Sequence, residues 1–252
     1  MKRVVSWFSC GAASAASAVA TKLAIADGDP VTIVNCEVKE EHPDNKRFLK
    51  DCEEWFGQEI IVMGSDEYKR SIDEVFWRRK YLAGINGAPC TLLLKKRIRE
   101  DFEKPNDVQI MGYTVEEQDR VDRFIDANNH VDLVTPLIDK GLTKQDCLAM
   151  IENAGIELPA MYKLGYKNNN CMGCVKASSP AYWKKIEIDF PKRFRMMRGF
   201  EIMTGASICK TTIDGKKDVR IKLDELPGHI KPMDDSIDIQ CGIFCHMAEQ
   251  DY

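Results

Sequence analysis

The stretch that decides the fold is Val4-Val5-Ser6-Trp7-Phe8-Ser9-Cys10-Gly11-Ala12-Ala13-Ser14. Its first five residues are mostly apolar and β-prone, and the alanine-rich run that continues to Ala24 holds no Gly or Pro that would interrupt a helix. A strand, a tight turn and a helix N-terminus together direct backbone N–H groups and the positive end of the helix dipole to one spot. The stretch therefore predicts a strand–loop–helix unit that binds an anion.

Each residue of this loop suits that role. Ser9 and Ser14 offer hydroxyl donors, Gly11 lets a ligand approach the backbone, and Ala12 and Ala13 offer N–H groups at the start of the helix. The loop matches neither a Walker A motif nor G-x-G-x-x-G. A plain turn and a secretory leader are the competing interpretations, because the basic N-terminus precedes an apolar run and Ala-x-Ala patterns.

Strand-like and helix-like segments alternate along the first half of the chain. Strands are predicted at Val4–Ser9, Thr32–Cys36, Ile60–Met63, Val108–Met111 and Val131–Val134. Helices are predicted at Ala13–Ala24, Asn45–Phe56, Glu67–Arg79, Leu92–Glu103 and Glu116–Asn128. This alternation predicts an α/β fold with a doubly wound parallel sheet, covered by helices on both faces, that binds its ligands at the carboxyl ends of the strands.

The pattern changes after Pro136, so we expect an α/β core over 1–135 and a C-terminal extension over 136–252 that packs on it. A helix capped by Thr143 is predicted up to Ala154, and a helical region over Pro180–Met203 with breaks near Pro191 and Gly199. A β-hairpin follows, with Asp-Gly at its turn and strands at Ile208–Ile213 and Val219–Leu223.

Composition indicates a soluble cytoplasmic protein of 252 residues, with 44% hydrophobic and 30% charged residues. No apolar run is long enough to span a bilayer, so no membrane partner is expected. The net charge of −4 argues against a whole molecule that binds nucleic acid electrostatically. Two basic runs, Lys95–Arg99 and Lys192–Arg195, are interpreted as solvated helix faces.

Ten cysteines are many for such a chain, and four of them are clustered. They form Cys171-x-x-Cys174 and Cys241-x-x-x-Cys245, a spacing that in a cytosolic protein indicates metal or redox chemistry before structural disulfides. Cys90 lies between Pro89 and a basic helix start, where we expect either a depressed pKa or a buried inert thiol.

The ordered motifs resemble the phosphoadenosine phosphosulfate (PAPS) reductase family of the PP-loop, or adenine-nucleotide α-hydrolase, superfamily. The resemblance covers residues 3–180 and rests on five stretches: the loop Ser9–Ser14; Asn35-Cys36-Glu37 with His42–Phe48; Gly112–Glu117 with Arg120 and Arg123; the ordered set Pro136–Asp139, Thr143–Asp146, Gly155-Ile156, Leu158-Pro159, Tyr162, Gly165-Tyr166 and Cys171-x-x-Cys174; and Cys241-Gly242-Ile243. It argues against a cleaved leader.

The resemblance implies an adenine nucleotide or sulfonucleotide at the loop. Ala13 stands where ATP-pyrophosphatase members of the superfamily carry Asp, a departure that favours the sulfonucleotide-reductase branch. Cations that suit the phosphates are Lys95 and Lys96, and Arg120 and Arg123 on one helical face. The remaining nucleotide-binding positions implied are Glu37, Gly112 and Glu117.

The cysteines leave two interpretations open. In one, Cys171, Cys174, Cys241 and Cys245 bind a [4Fe-4S] cluster, or a structural zinc ion as the alternative. In the other, Cys90, Cys171 and Cys174 hold a cluster with an open iron site, as in PP-loop tRNA-thiolating relatives, and Cys241 or Cys245 is a free nucleophile. Cys90 is a candidate reactive thiol under the first interpretation.

Three functions follow as hypotheses. The leading one is an oxidoreductase in which a cysteine thiolate attacks a sulfonucleotide and sulfite leaves, with a thiol reductant protein as partner. The alternative is an ATP-dependent, iron–sulfur-dependent sulfur transferase that modifies nucleic acid. The third is a nucleotide- or metal-binding regulator without turnover. A homo-oligomer is compatible with each of them.

Overall fold

The computed structural model describes residues 2–24, 31–84 and 87–234. Its strands are β1 Val4–Phe8, β2 Val31–Cys36, β3 Ile61–Met63, β4 Val108–Met111, β5 Asp132–Val134, β6 Cys209–Ile213 and β7 Lys216–Ile221. Its helices are α1 Ala12–Ala24, α2 Asn45–Phe56, α3 Ile72–Arg79, α4 Pro89–Thr91, α5 Arg97–Phe102, α6 Gln118–Ala127, α7 Pro136–Asp139, α8 Lys144–Asn153, α9 Ala160–Lys163, α10 Pro180–Asp189 and α11 Pro191–Thr204. A π-helical stretch, Leu92–Lys96, joins α4 to α5, and 3₁₀ turns form at Val115–Glu117 and Leu223–Glu225.

Five strands form a parallel sheet in the order β3-β2-β1-β4-β5, which confirms the predicted α/β class. Both faces of the central strand are covered. Phe8 of β1 packs on Phe48 and Phe56 of α2, with ring centroids 6.1 and 5.9 Å apart, whereas its neighbour Trp7 meets Phe102 of α5 edge-on at 5.9 Å. Successive side chains of a strand point to opposite faces, so this pair fixes helices on both sides of the sheet.

The strand order reverses between β1 and β4, which are hydrogen-bonded neighbours with Val4 opposite Val108. Chain leaving β1 proceeds to β2 and β3 on one side, and chain leaving β4 proceeds to β5 on the other. The reversal opens a crevice at the carboxyl ends of the two strands, where ligands bind in open α/β sheets. The loop Ser9–Ser14 and Gly112 lie at these two ends.

The small side chains of α1 let it pack closely inside the molecule. Ala12, Ala15 and Ala16 are fully buried in a core cluster that also holds Leu148 and Ile151 of α8. The predicted cap of α8 is confirmed as a capping box, in which Thr143 and Asp146 bind each other's backbone N–H groups. Residues beyond 136 thus contribute to the core that supports the loop.

A second core cluster joins α3, α10, α11 and the β6–β7 hairpin. Buried Glu201 of α11 accepts the N–H groups of Ile208 and Leu223, each at 2.7 Å, and so fixes both ends of the hairpin region to the helix. Arg193, also on α11, donates to the Met172 carbonyl at 3.0 Å and pairs with Asp73 of α3. One guanidinium thereby joins α11, α3 and the Cys171–Cys174 loop.

The helices differ most from the prediction in three places. Helix α3 begins at Ile72 rather than Glu67, because Lys69 and Arg70 adopt positive φ angles and Ser71 then caps the helix. Helix α11 runs unbroken through Gly199, so the break predicted there is wrong, whereas the break before Pro191 is confirmed. The predicted helix Leu92–Glu103 starts earlier, at Pro89, and includes the π-helical stretch. Across the described ranges, no helix has the length and apolarity to cross a membrane.

Candidate active site

The loop after β1 is held by its own hydroxyl groups. Ser14 accepts the Ser9 N–H at 3.0 Å and donates to the Gly11 carbonyl at 2.8 Å, while Cys10 takes a left-handed conformation with φ 55°. The Ala15 N–H already bonds to the Gly11 carbonyl at 3.1 Å, so helix α1 starts directly from the loop. The first helical turn therefore begins at the crevice. Contrary to the expectation for Ala12, its N–H is bonded to the Tyr162 hydroxyl, so the Ala13 and Ser14 N–H groups are the ones that an anion could bind.

Two side chains from distant segments fix the loop, and neither was predicted as a site residue. The hydroxyl oxygen of Tyr162 accepts the Ala12 N–H at 3.2 Å. The Asn169 amide donates to the Cys10 carbonyl at 2.5 Å and to the Asn45 side chain at 2.8 Å. All three polar partners are buried, so the bonds hold the strained Cys10 conformation in place.

Gly112, at the end of β4, closes against the loop. A Cβ at this position would lie 2.6 Å from the Ala13 carbonyl oxygen and 2.8 Å from the Ser14 Cα. Because both are backbone atoms that cannot move aside cheaply, only glycine fits here. The predicted residues Gly112, Ala13 and Ser14 therefore come together at the point where the strand order reverses.

A cavity of about 470 Å³ opens beside Ser9, between the sheet edge and helices α5 and α6, and we call it the basic cavity. No acidic side chain of the described residues lines it. Its cations come from both helices and from the π-helical stretch: Lys95, Lys96, Arg99, Arg120 and Arg123. Four of these five were predicted as phosphate ligands, and Arg99 was not.

A second cavity, of about 570 Å³, opens on the other side of Ser9 and reaches Gly11, Ala13 and Ser14, and we call it the loop cavity. Lys144 lines it and donates to the side-chain oxygen of Asn168 at 2.6 Å. Burial lowers the pKa of Lys144 to about 8, and the nearby Lys167 acts in the same direction. Lys144 is therefore mostly charged at neutral pH and loses its charge as the pH rises through 8, whereas an anion bound in the loop cavity would favour the charged form.

The site residues that were predicted outside the loop do not all lie at the same cavity. Glu117 lines the loop cavity and is bonded to Arg120 at 2.6 Å, so the two form one charged pair at its mouth. Lys96 lies 3.5 Å from Glu100. Glu37 is apart from both cavities: it pairs with Arg70 at 2.6 Å and lines a third cavity, of about 390 Å³. A direct role for Glu37 at the phosphates stays a prediction.

Lys95 joins the basic cavity to a group of thiols. Its ammonium lies 2.9 Å from the Glu41 carboxylate, which raises the pKa of Lys95 and keeps it charged. The Cys171 sulfur lies 4.0 Å from the same carboxylate. Burial raises the pKa of Cys171 far above its usual range, while Lys95 acts in the opposite direction.

Cys90 and Cys174 lie in the same neighbourhood as Cys171. Burial, and next the neighbouring Cys174, raise the pKa of Cys90 to about 11, so the depressed value expected for Cys90 is wrong: desolvation outweighs the nearby lysines. Cys171 is in turn affected by both Cys174 and Cys90. Yet nowhere in ranges 2–24, 31–84 and 87–234 do three Cys, His, Asp or Glu side chains converge closely enough to hold a metal ion.

Metal binding by the clustered cysteines therefore stays a prediction. Thiolate chemistry suits iron–sulfur clusters and zinc, but Cys90, Cys171 and Cys174 as placed do not form a metal site. Cys241 and Cys245 lie outside the described residues. The eight cysteines that the structure describes are all free thiols.

Comparisons with known proteins leave the family unassigned. No protein-family model matches the chain, and no curated protein matches it. Eighteen chains of solved structures match, among them the U34-tRNA thiolase NcsA from Methanococcus maripaludis with its [4Fe-4S] cluster. That match is 13% identical, covers 94% of this chain and 84% of that chain, and has a TM-score of 0.40. A superposition this loose does not place the chain in that enzyme's family.

Proposed function

We propose that this protein is an ATP-dependent enzyme of the PP-loop type that transfers sulfur through cysteine to nucleic acid. The observation that carries the proposal is the position of Lys95. Lys95 lines the basic cavity near Ser9, and its ammonium lies 2.9 Å from the same Glu41 oxygen that lies 4.0 Å from the Cys171 sulfur. A nucleotide bound at the loop and a sulfur atom carried by Cys171 would thus lie on two sides of the Lys95 side chain.

Nucleotide binding is supported by the loop and the two cavities. Backbone N–H groups at the start of α1 suit phosphate oxygens, and Arg120 lines both cavities, where its guanidinium can bind phosphate with two parallel hydrogen bonds. The cavity volumes of about 470 and 570 Å³ are typical of small-molecule sites. Four of the five cations of the basic cavity are each paired with a carboxylate outside its lining, and among the described residues Arg123 is not. The lining thus presents cations without carboxylates, which suits the polyphosphate of ATP.

In the first step that we propose, a carbonyl oxygen of the acceptor base attacks the α-phosphorus of ATP. The bond to the pyrophosphate oxygen breaks, pyrophosphate leaves with the electron pair, and the acceptor carries AMP. Lys95 and Arg120 neutralise the charge that develops on the leaving group, which is the main contribution a protein makes to phosphoryl-type transfer.

In the second step, sulfur replaces AMP. A persulfide donor first loads a terminal sulfur on Cys171, and this sulfur attacks the activated carbon as AMP leaves with the oxygen. The thiolate of Cys174 then attacks the Cys171 sulfur, which releases the thiolated base and leaves a Cys171–Cys174 disulfide. The two thiols supply the two electrons, and an external thiol reductant reopens the disulfide. No step is assigned to a metal cluster.

The positions of the thiols favour sulfur transfer over sulfonucleotide reduction. Cys90, Cys171 and Cys174 lie in one neighbourhood next to the basic cavity. Cys241 and Cys245, the nucleophiles predicted for a reductase, lie outside the described residues.

The experiment measures pyrophosphate release and thiolated nucleosides, by mass spectrometry, with ATP, a persulfide donor and a mixed RNA or single-stranded DNA substrate. Pyrophosphate release that requires nucleic acid, and thionucleosides that disappear in Cys171→Ser, are the expected results. Cys209→Ala is the matched control, because Cys209 is buried away in the hairpin. Turnover of ATP without any thionucleoside would contradict the proposal.

Sulfonucleotide reduction is the second candidate function. Ala13 occupies the loop position at which ATP-pyrophosphatase members carry Asp and the sulfonucleotide-reductase branch often does not. The basic cavity also suits a phosphosulfate. Incubation with PAPS and a thiol reductant, followed by assay for sulfite, tests this candidate directly. Binding of nucleotide without turnover in either assay would indicate a regulator instead.

A further inference from the structure

An exposed segment at the end of α3 combines aromatic rings with cations: Trp77-Arg78-Arg79-Lys80-Tyr81. All five residues are exposed, and 61% of the Trp77 side chain is open to solvent. The Lys80 ammonium lies 3.8 Å from the centre of the Trp77 ring. Since tryptophan is among the residues that folding proteins bury most, a tryptophan exposed to this extent indicates a surface that binds a partner.

Helix α11 extends this surface. The Lys80 ammonium lies 3.4 Å from the sulfur of Met203. Other exposed residues of α11 recur at helical spacing: Lys192, Arg195, Met196 and Ile202. We call the segment 77–81 together with this outer face of α11 the basic–aromatic surface.

Arg78 pairs with Glu74 at 2.6 Å, but the other charges of this surface are available to a partner. No carboxylate of the described chain lies within 4.0 Å of the charged groups of Arg79, Lys80, Lys192 or Arg195. Segment 77–81 and the exposed positions 192, 195, 196 and 202 of α11 contain five Lys or Arg and no Asp or Glu, in a chain whose net charge is −4. The positive charge is thus concentrated on one part of a negatively charged molecule, as expected of a polyanion-binding face.

The basic–aromatic surface is also connected to the thiols. Arg193 pairs with Asp73 at the start of α3 and donates to the Met172 carbonyl, within the Cys171–Cys174 loop. Both helices that form the surface are therefore fixed to the loop that carries the candidate sulfur. A chain bound along the surface would extend towards that loop.

We propose that the basic–aromatic surface binds single-stranded nucleic acid, with unpaired bases stacked on Trp77 and Tyr81 and phosphates on Arg79, Lys80 and the cations of α11. This proposal rests on the proposed function, because the surface would bind the nucleic-acid substrate of the sulfur transferase. Along 77–81 two aromatic rings flank three consecutive cations, a combination that suits stacked bases and backbone phosphates. A bilayer surface would instead favour a continuous apolar stripe.

The test measures binding of the full-length protein to fluorescein-labelled 20-nucleotide single-stranded RNA and to a duplex of the same length, at 50 and 200 mM salt, by fluorescence anisotropy. We expect tighter binding to the single strand and weaker binding at the higher salt. Trp77→Ala should weaken binding by roughly 5- to 150-fold, the usual effect of removing one base-stacking ring. Arg79→Ala should reduce the slope of log affinity against log salt by about 0.7.

Lys50→Ala is the control, because Lys50 is an exposed cation on α2 and should leave the affinity unchanged. Equal affinity of Trp77→Ala and the wild type for the single strand, absence of binding at 50 mM salt, or binding only to phosphatidylserine vesicles would each overturn the proposal. RNA binding that depends on Trp77 without any thionucleoside product would support the surface and contradict the sulfur transferase. Thionucleoside formation, together with unchanged RNA affinity in Trp77→Ala, would support the sulfur transferase and contradict the surface.

Discussion

The ammonium of Lys95 lies 2.9 Å from the carboxylate of Glu41, and this ion pair forms the boundary between the basic cavity and the Cys171 thiol. The two charges act on the thiol in opposite directions: Glu41 raises the pKa of Cys171 and Lys95 lowers it. Burial has the largest effect on the pKa of Cys171, and the pair adjusts the reactivity of the thiol from there, because only the thiolate is nucleophilic.

Glu41→Gln removes the charge that disfavours the thiolate, so we expect faster alkylation of Cys171 by iodoacetamide at pH 8, whereas Lys95→Met should slow it. Peptide mass spectrometry over a time course measures both rates. Cys209, which is fully buried and apart from the pair, serves as the internal reference in each sample. Equal rates in both variants would show that burial alone controls this thiol.

Gly112→Ala should disrupt the loop. The added methyl group meets backbone atoms of Ala13 and Ser14 at 2.6 to 2.8 Å, so the loop must shift. We expect ATP affinity to fall by at least about tenfold, or ~1.4 kcal/mol, in isothermal titration calorimetry. Gly199→Ala is the matched control, because a methyl group there meets nothing within 4 Å and should leave ATP affinity unchanged.

Asn169→Ala should lower stability as well as affinity. The Cys10 carbonyl and the Asn45 amide would each lose a buried partner, which costs about 1–3 kcal/mol of unfolding free energy. Urea denaturation measures the loss. Asn170→Ala, at an exposed neighbouring position, should have almost no effect on it, and similar losses in the two variants would exclude the proposed clamp.

Nucleotide binding should depend on pH through Lys144. Its pKa in the free protein is about 8, so a growing fraction is neutral as pH rises through that value, and a bound phosphate must then recruit a proton. ATP affinity should therefore decrease between pH 7 and 9, by no more than about tenfold per pH unit. Lys144→Gln should bind more weakly at pH 7 and lose this dependence, unlike Lys140→Gln at an exposed position.

The strand–loop–helix unit and the sheet could be predicted because their signals are local. The apolar run at Val4–Phe8, the small residues of the loop and the alanines of α1 each specify their own conformation. The proximity of Gly112 to Ser14 could also be predicted, because the carboxyl ends of neighbouring parallel strands lie at the same edge of the sheet.

The features that the sequence did not indicate depend on contacts between segments that are far apart in the chain. Asn169 belongs to a run of three asparagines that predicts only a turn, and nothing local shows that its amide reaches Cys10. The late start of α3 depends on positive φ angles at Lys69 and Arg70, residue types that give no warning of them. For Cys90 the sequence left a depressed pKa and a buried thiol equally open, because the burial that outweighs the nearby lysines comes from distant segments.

The contacts of Arg193 bear on how such a molecule could change during evolution. Its guanidinium joins a carboxylate of α3 to the peptide backbone beside Cys171, so segments about 100 residues apart depend on one another. A recombinant that inherited the sheet from one ancestor and the residues after 190 from another would keep its thiol loop in place only if Asp73 and Arg193 were inherited together.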